Sequence, residues 1–280
     1  MKTKKCFIIG LPAAGKTTYL AALSYSAQQK KVLTCLKWPK YSGDHQYLAE
    51  LSTHWLTAQS VSRTSIGDQQ ENLHLHLVDE EDKVYDVSFP DLSGEVFQNW
   101  YENREMDAEH AKLISECNGM ILFINPDSVQ IPEFVSKISK EFRPEEDTQI
   151  PRRNPRNDDP TEVVAVELLQ FIVELRLNEQ CRLAIVISAW DRVKDKYNTP
   201  IEYVSENLPL LFQYLVANQR EFTTKYFGVS AQGDAFDNEK KCEELVAKHR
   251  NAPAERILVV DDQGNEGHDI TLPLWSIMNS

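Results

Sequence analysis

Gly10-Leu11-Pro12-Ala13-Ala14-Gly15-Lys16-Thr17 follows an apolar segment, Cys6-Phe7-Ile8-Ile9, and runs straight into Thr18-Tyr19-Leu20-Ala21-Ala22-Leu23. The apolar segment reads as a strand, and a helix is predicted over Thr17–Gln28. A glycine-bounded turn at such a junction aims successive backbone N–H groups at one point, and the helix N-terminus adds the positive end of its dipole. G-x-x-x-x-G-K-T in that context is a phosphate-binding loop. The expected contacts are Gly10, Ala13, Ala14, Gly15, Lys16, Thr17 and Thr18. Lys16 would neutralise β- and γ-phosphates, and the Thr17 hydroxyl would ligate Mg²⁺. An ordinary glycine turn with a surface lysine is the plain alternative, and it leaves the strand-before, helix-after context unexplained.

The 280 residues, 41% of them hydrophobic, suffice for one large α/β domain with insertions. No apolar run is long enough to span a bilayer. The basic start, Met1-Lys2-Thr3-Lys4-Lys5, precedes apolar residues as in an export signal, but that stretch ends at Gly10 and feeds the phosphate loop. The five cysteines (Cys6, Cys35, Cys117, Cys181, Cys242) are scattered without a C-x-x-C, which argues against structural zinc and suits a reducing, cytoplasmic setting. A formal charge of −13 argues against nucleic acid as the main partner. The basic cluster Arg152-Arg153-Asn154-Pro155-Arg156 is flanked by acids and reads as a solvated loop of mixed charge.

Strands are predicted at Cys6–Ile9, Leu73–Val78, Val84–Phe89, Gly119–Ile124, Leu183–Ile187 and Lys225–Val229, with a further candidate at 256–260. Continuous apolar runs such as Met120-Ile121-Leu122-Phe123-Ile124 suit central strands covered on both faces. Leu73–Val78 alternates, and with Val84–Phe89 it forms a predicted hairpin, making one edge pair antiparallel. Helices are predicted at Thr17–Gln28, Asp107–Cys117, Thr161–Leu177, Pro200–Ala217 and Glu239–Lys248. The alternation implies a three-layer α/β fold with a mostly parallel sheet, in a single domain. Polar, proline-rich 142–160 and the stretch 231–267 read as insertions, and 31–70 is a second long connection. His74 and His76 share a strand face, but nothing nearby completes a metal site. The apolar end, Pro273-Leu274-Trp275-Ser276-Ile277-Met278, reads as a docking segment or final helical turn.

Phe89-Pro90-Asp91-Leu92-Ser93-Gly94-Glu95 follows a strand end. Asp91 there can hold Mg²⁺ through a water, and Gly94 can offer its N–H to a γ-phosphate because no side chain blocks the approach. A simple turn is the alternative reading.

With both motifs in place, the chain resembles a Ras-like, translation-factor-related P-loop GTPase. It looks closest to the bacterial double-GTPase type associated with conflict or anti-phage gene clusters. Gly10–Thr17 matches the first family motif and Asp91–Gly94 matches D-x-x-G. Ser188-Ala189-Trp190-Asp191 falls where the family has N-K-x-D, and Ser230-Ala231-Gln232 where it has S-A-K. The resemblance implies GTP or GDP as ligand, Mg²⁺ as cofactor, and a protein effector or GTPase-activating partner.

By that resemblance, Asp191 accepts hydrogen bonds from guanine N1–H and the 2-amino group, and adenine lacks both donors. Ser188 and Ala189 replace Asn and Lys, and Trp190 is a candidate stacking surface. Ser230 and Ala231 would present a backbone N–H to guanine O6. Asp191 as a turn residue is the plain alternative. Glu95 stands where Ras-like enzymes carry the water-orienting Gln. A carboxylate cannot donate to the γ-phosphate and repels it. Slow hydrolysis, Glu95 as a base, and Glu95 turned outward are the three outcomes. In Ser62-Arg63-Thr64-Ser65, where the first switch falls, Thr64 (or Ser65) would complete the Mg²⁺ shell and Arg63 is a candidate cis arginine finger, with an exposed loop arginine as its plain alternative. The expected function is a slowly hydrolysing GTP switch whose loops 31–70 and 94–107 change order with the nucleotide. The alternatives are an ATP-using NTPase or phosphotransferase, and a non-hydrolysing, nucleotide-holding interaction module.

Overall fold

A computed structural model describes residues 3–29, 32–39, 46–59, 73–89, 94–132, 153–176, 180–234 and 239–279. Consecutive apolar residues of one strand feed two separate cores. In β1 (Lys4–Gly10), Cys6 and Ile8 join one buried cluster while Phe7 and Ile9 join the other. β4 (Gly119–Ile124) splits in the same way, with Ile121 and Phe123 on one side and Met120, Leu122 and Ile124 on the other. The two-residue period of a strand explains the split, and burial of both faces explains why the sequence shows no polar alternation.

The sheet order is β2-β3-β1-β4-β5-β6-β7-β8. β3 (Val84–Phe89), β1, β4, β5 (Cys181–Ser188) and β6 (Phe222–Ser230) are parallel neighbours. β2 (Leu73–Val78) pairs antiparallel with β3 in the expected hairpin, from Leu73 opposite Phe89 to Val78 opposite Val84. Asp79 closes its turn by accepting from the Glu81 and Lys83 amides at 3.0 Å. The opposite edge adds two short antiparallel strands, β7 (Leu258–Val260) and β8 (Glu266–Gly267).

Helices cover both faces. α1 (Lys16–Gln28) and α2 (Gln46–Leu56) pack together on one, where α10 (Leu272–Met278) also lies against β1, β4 and β5. The second core collects α3 (Glu95–Asn103), α4 (Ala108–Glu116) and α6 (Thr161–Arg176), with α7 (Pro200–Asn207) and α8 (Pro209–Ala217). The stripe of α6 that is fully buried is Val164, Ala165, Leu168, Leu169 and Ile172. That i, i+1, i+4, i+5, i+8 pattern is the face of a helix laid on a sheet.

Five stretches depart from the sequence expectation. The helix expected over Pro200–Ala217 is two helices, because Pro209 forces Leu208 out of helical geometry (φ −132°, ψ 55°). The 94–107 loop is largely α3, and 31–70 contains α2. The described end of 142–160 forms a helical turn, α5 (Pro155–Asp158), and 231–267 carries α9 (Glu239–Lys248) besides β7 and β8. Among the described residues, no helix is long and apolar enough to cross a membrane.

Candidate functional site

β1 delivers the phosphate loop to the C-terminal edge of the sheet, where α1 starts. Gly15, the residue before α1, has φ +90°, and Ala13 has φ +62°. The Ala14 amide donates to the Leu11 carbonyl at 3.2 Å, closing the turn between them. Lys16 is 3% exposed. Its Nζ donates to the Gly10 carbonyl at 2.5 Å and the Leu11 carbonyl at 3.2 Å, and lies 5.5 Å from the Phe97 ring centroid. The ammonium is thus held over the loop, where phosphate oxygens would bind it more strongly than neutral carbonyls do. Thr17 and Thr18 occupy the first turn of α1 and are half-buried.

Gly94 comes to the same place. Its φ is +87°, and a Cβ there would fall 2.4 Å from the Leu11 carbonyl carbon and 2.5 Å from the Pro12 nitrogen. Backbone meets backbone at a distance only glycine allows. The second motif's glycine therefore touches the first motif and opens α3. Asp91, Arg63 and Thr64 lie outside the described residues.

The segments expected to read the base, Ser188–Asp191 and Ser230–Ala231, sit at the ends of β5 and β6. A Cβ on Gly15 would lie 2.9 Å from Ser188 Oγ, so Ser188 packs on the phosphate loop. Its hydroxyl donates a long 3.4 Å bond to the Ile124 carbonyl. Asn125, at the end of β4, ties that strand to the loop through Nδ2 to the Ala13 carbonyl at 2.9 Å. Asp191 belongs to a 3-10 turn, Trp190–Arg192, entered through Ala189 at φ +48°. Asp191 and Ser230 line one cavity of about 490 Å³, together with Gly233, Asp234 and side chains of α9. Ser230 is 1% exposed, and its Oγ accepts from the Gly233 amide at 3.2 Å, shaping the loop after β6.

A family model described as Double-GTPase 1 matches residues 7–277. The chain belongs to that family. No curated protein matches it. Membership in Double-GTPase 1 makes this a GTP-binding, phosphate-loop protein with GTPase chemistry in the broad sense.

In this double-GTPase chain, Trp190 is not a stacking surface for the base. It is 1% exposed and lies flat against β6: a Cβ on Gly228 would fall 2.3 Å from its Cδ2. Tyr203 meets it edge-on with ring centroids 6.4 Å apart. Burial of so large an apolar ring outweighs any gain from leaving it at the site's mouth.

Two residues missed in the sequence hold the loop after β6. Trp55 of α2 donates from Nε1 to the Ala231 carbonyl at 2.8 Å. The Arg256 guanidinium stacks 3.6 Å from the Trp55 ring centroid and donates to the Trp55 carbonyl. A Cβ on Gly233 would lie 2.7 Å from the Arg256 carbonyl. Burial lowers the Arg256 pKa to about 10, so it stays cationic at neutral pH. The only signal in the sequence was an apolar Trp late in an amphipathic segment, which marks core and not a specific bond.

Glu95, the first residue of α3, has Oε2 3.0 Å from an Arg156 terminal nitrogen. Arg156 Nε also lies 3.2 Å from Glu102 Oε1, which accepts from Gln98 at 2.9 Å. The described end of the insertion is anchored beside it: Arg153 pairs with Asp159, and Tyr101 of α3 donates to the same carboxylate. The Arg153 hydrogen bonds are the main reason the Asp159 carboxyl sits below the usual carboxylate range. The cluster expected to be a solvated loop is therefore a clasp on α3.

His74 and His76 engage their cross-strand partners, Ser88 at 3.0 Å and Asp86 at 2.6 Å. Among the described residues no group of three His, Cys, Asp or Glu could hold a metal. The donor available at the phosphate loop is the Thr17 hydroxyl, a hard oxygen. That fits Mg²⁺, which keeps waters and phosphate oxygens as its other ligands, and does not fit zinc.

Proposed function

We propose that the chain binds GTP with Mg²⁺, hydrolyses it slowly unaided, and reports the nucleotide state to a protein partner. The observation that supports this reading is the packing of the phosphate loop on the end of β5. Gly15 packs on Ser188, and Asp191, three residues further on, lines the same cavity as Ser230. The contact ties the phosphate loop to the segment proposed to read the base. Lys16 would neutralise the β/γ-phosphates, and Thr17, with Asp91 and Thr64, would hold Mg²⁺. The ion would supply further charge neutralisation between the phosphates. The Asp191 carboxylate would accept from guanine N1–H and the 2-amino group. Adenine would leave it unpaired, which costs far more than a missing apolar contact.

Slow turnover is supported by Glu95. A carboxylate already paired with Arg156 is poorly placed to orient a water on the γ-phosphate. Arg63 as a cis arginine finger remains part of the proposal, tested by Arg63→Ala at unchanged nucleotide affinity. A partner reading segments 31–70 and 94–107 would sense the γ-phosphate through Gly94 and α3. The Glu95–Arg156 pair equally favours a nucleotide-holding module that does not hydrolyse. One experiment covers both readings: identify the retained nucleotide, compete labelled GTP with ATP, then follow a single turnover. Equal competition by ATP would refute guanine selectivity and point to an ATP-using enzyme. GTP persisting for hours would select the holding module.

A further inference from the structure

We propose that Arg156 is a positioning residue that neutralises Glu95 beside the phosphate loop and thereby sets the preference for GTP over GDP. The inference rests on the GTP-binding reading above and adds to it the residue that makes an acidic side chain tolerable at this place. Gly94 touches the backbone of Leu11 and Pro12, and Glu95 is the next residue in the chain. Glu95, Arg156, Leu11 and Pro12 line one cavity of about 270 Å³. A third phosphate bound by this loop would lie on the same side of it as the Glu95 carboxylate, and the two like charges would repel.

Arg156 answers that charge. Its planar fork spans Glu95 and Glu102, two turns apart on the same face of α3. Arginine suits this because it is always charged and its donors are fixed in a plane. The fork is not left to surface entropy alone. Asn154, the residue before α5, caps that turn by accepting from the Arg156 amide at 3.2 Å. Arg153 and Tyr101 meet on Asp159, which is 5% exposed and fixes the segment to α3 from its other end. The polar insertion is thus part of the phosphate site's electrostatics, and a ligand that lacks the third phosphate would not feel it.

The test measures affinities of the full-length protein, with Mg²⁺, for fluorescent GDP and for a non-hydrolysable GTP analogue. Wild type is compared with Arg156→Ala, Arg156→Lys, Glu95→Gln and the Glu95→Gln/Arg156→Ala pair. Arg156→Ala is expected to reduce the analogue-to-GDP affinity ratio by roughly two- to fivefold, the upper part of the range for losing one partly exposed ion pair. Arg156→Lys should recover part of the ratio, and the double variant should restore it, because the repelling charge is gone. A ratio unchanged in Arg156→Ala, or still depressed in the double variant, overturns the proposal. Failure of every protein to bind any guanine nucleotide overturns the GTP reading itself, and this inference with it.

Discussion

The indole of Trp55 donates to the main-chain carbonyl of Ala231 at 2.8 Å, joining residues 176 positions apart in the chain. Ala231 follows Ser230 in the loop proposed to face the base, and Trp55 lies in the last turn of α2. Trp55→Phe keeps the ring under Arg256 but leaves a buried carbonyl unpaired. That loss is about 1–3 kcal/mol. The variant should fold, and its affinity for GDP should fall about tenfold or more, measured by fluorescence titration.

Lys16→Met should leave the melting temperature close to wild type, because methionine keeps the apolar stem of a buried side chain whose ammonium bonds to the neutral Gly10 and Leu11 carbonyls. Nucleotide affinity should drop by roughly ten- to a hundredfold, the value of a charged hydrogen bond lost to phosphate. Isothermal titration with GDP distinguishes this from a folding defect.

Gly228→Ala is expected to destabilise the fold without touching any ligand. The added methyl would overlap the Trp190 ring. Overpacking of this kind costs about 1–3 kcal/mol. Urea denaturation should show a lower midpoint with an unchanged slope.

The Arg153–Asp159 pair predicts an acid-sensitive contribution. The Asp159 carboxyl is held below its ordinary value, chiefly by the Arg153 hydrogen bonds. The stability it provides is complete above the unfolded-state pKa, about 3.9, and fades as pH falls through the lower folded-state value. Asp159→Asn should therefore be less stable than wild type at pH 7, and the gap should narrow below about pH 4. Urea midpoints measured between pH 7 and pH 3 check the sign.

The phosphate loop, the hairpin and the central strands were legible because each rests on a local pattern: a glycine-bounded turn, a period of two, or an apolar run. Gly94 was legible as well, since its place after a strand end is set by neighbours in sequence. Trp55, Asn125 and Arg156 were not. Each acts by reaching across the fold, and nothing in its own window distinguishes Trp55 from a core tryptophan or Arg156 from a solvated one. Trp190 erred the other way. Its position in the Ser188–Asp191 motif suggested a role at the base, but the absent side chain at Gly228 makes room for it in the core. α3 was obscured by its polar start, Gly94-Glu95, which a loop shares.

The packing of α10 has a consequence for synthesis. Leu274, Ile277 and Met278 close the sheet face formed by β1 and β4, and Ile277 fills the hollow at Gly119. A nascent chain that has already made β1 and β4 leaves the part of that face under α10 uncovered until residues beyond 270 emerge. Ribosomes stalled short of that point would hold an apolar strip of the sheet open to other chains, and long-range closure of this kind makes folding slow.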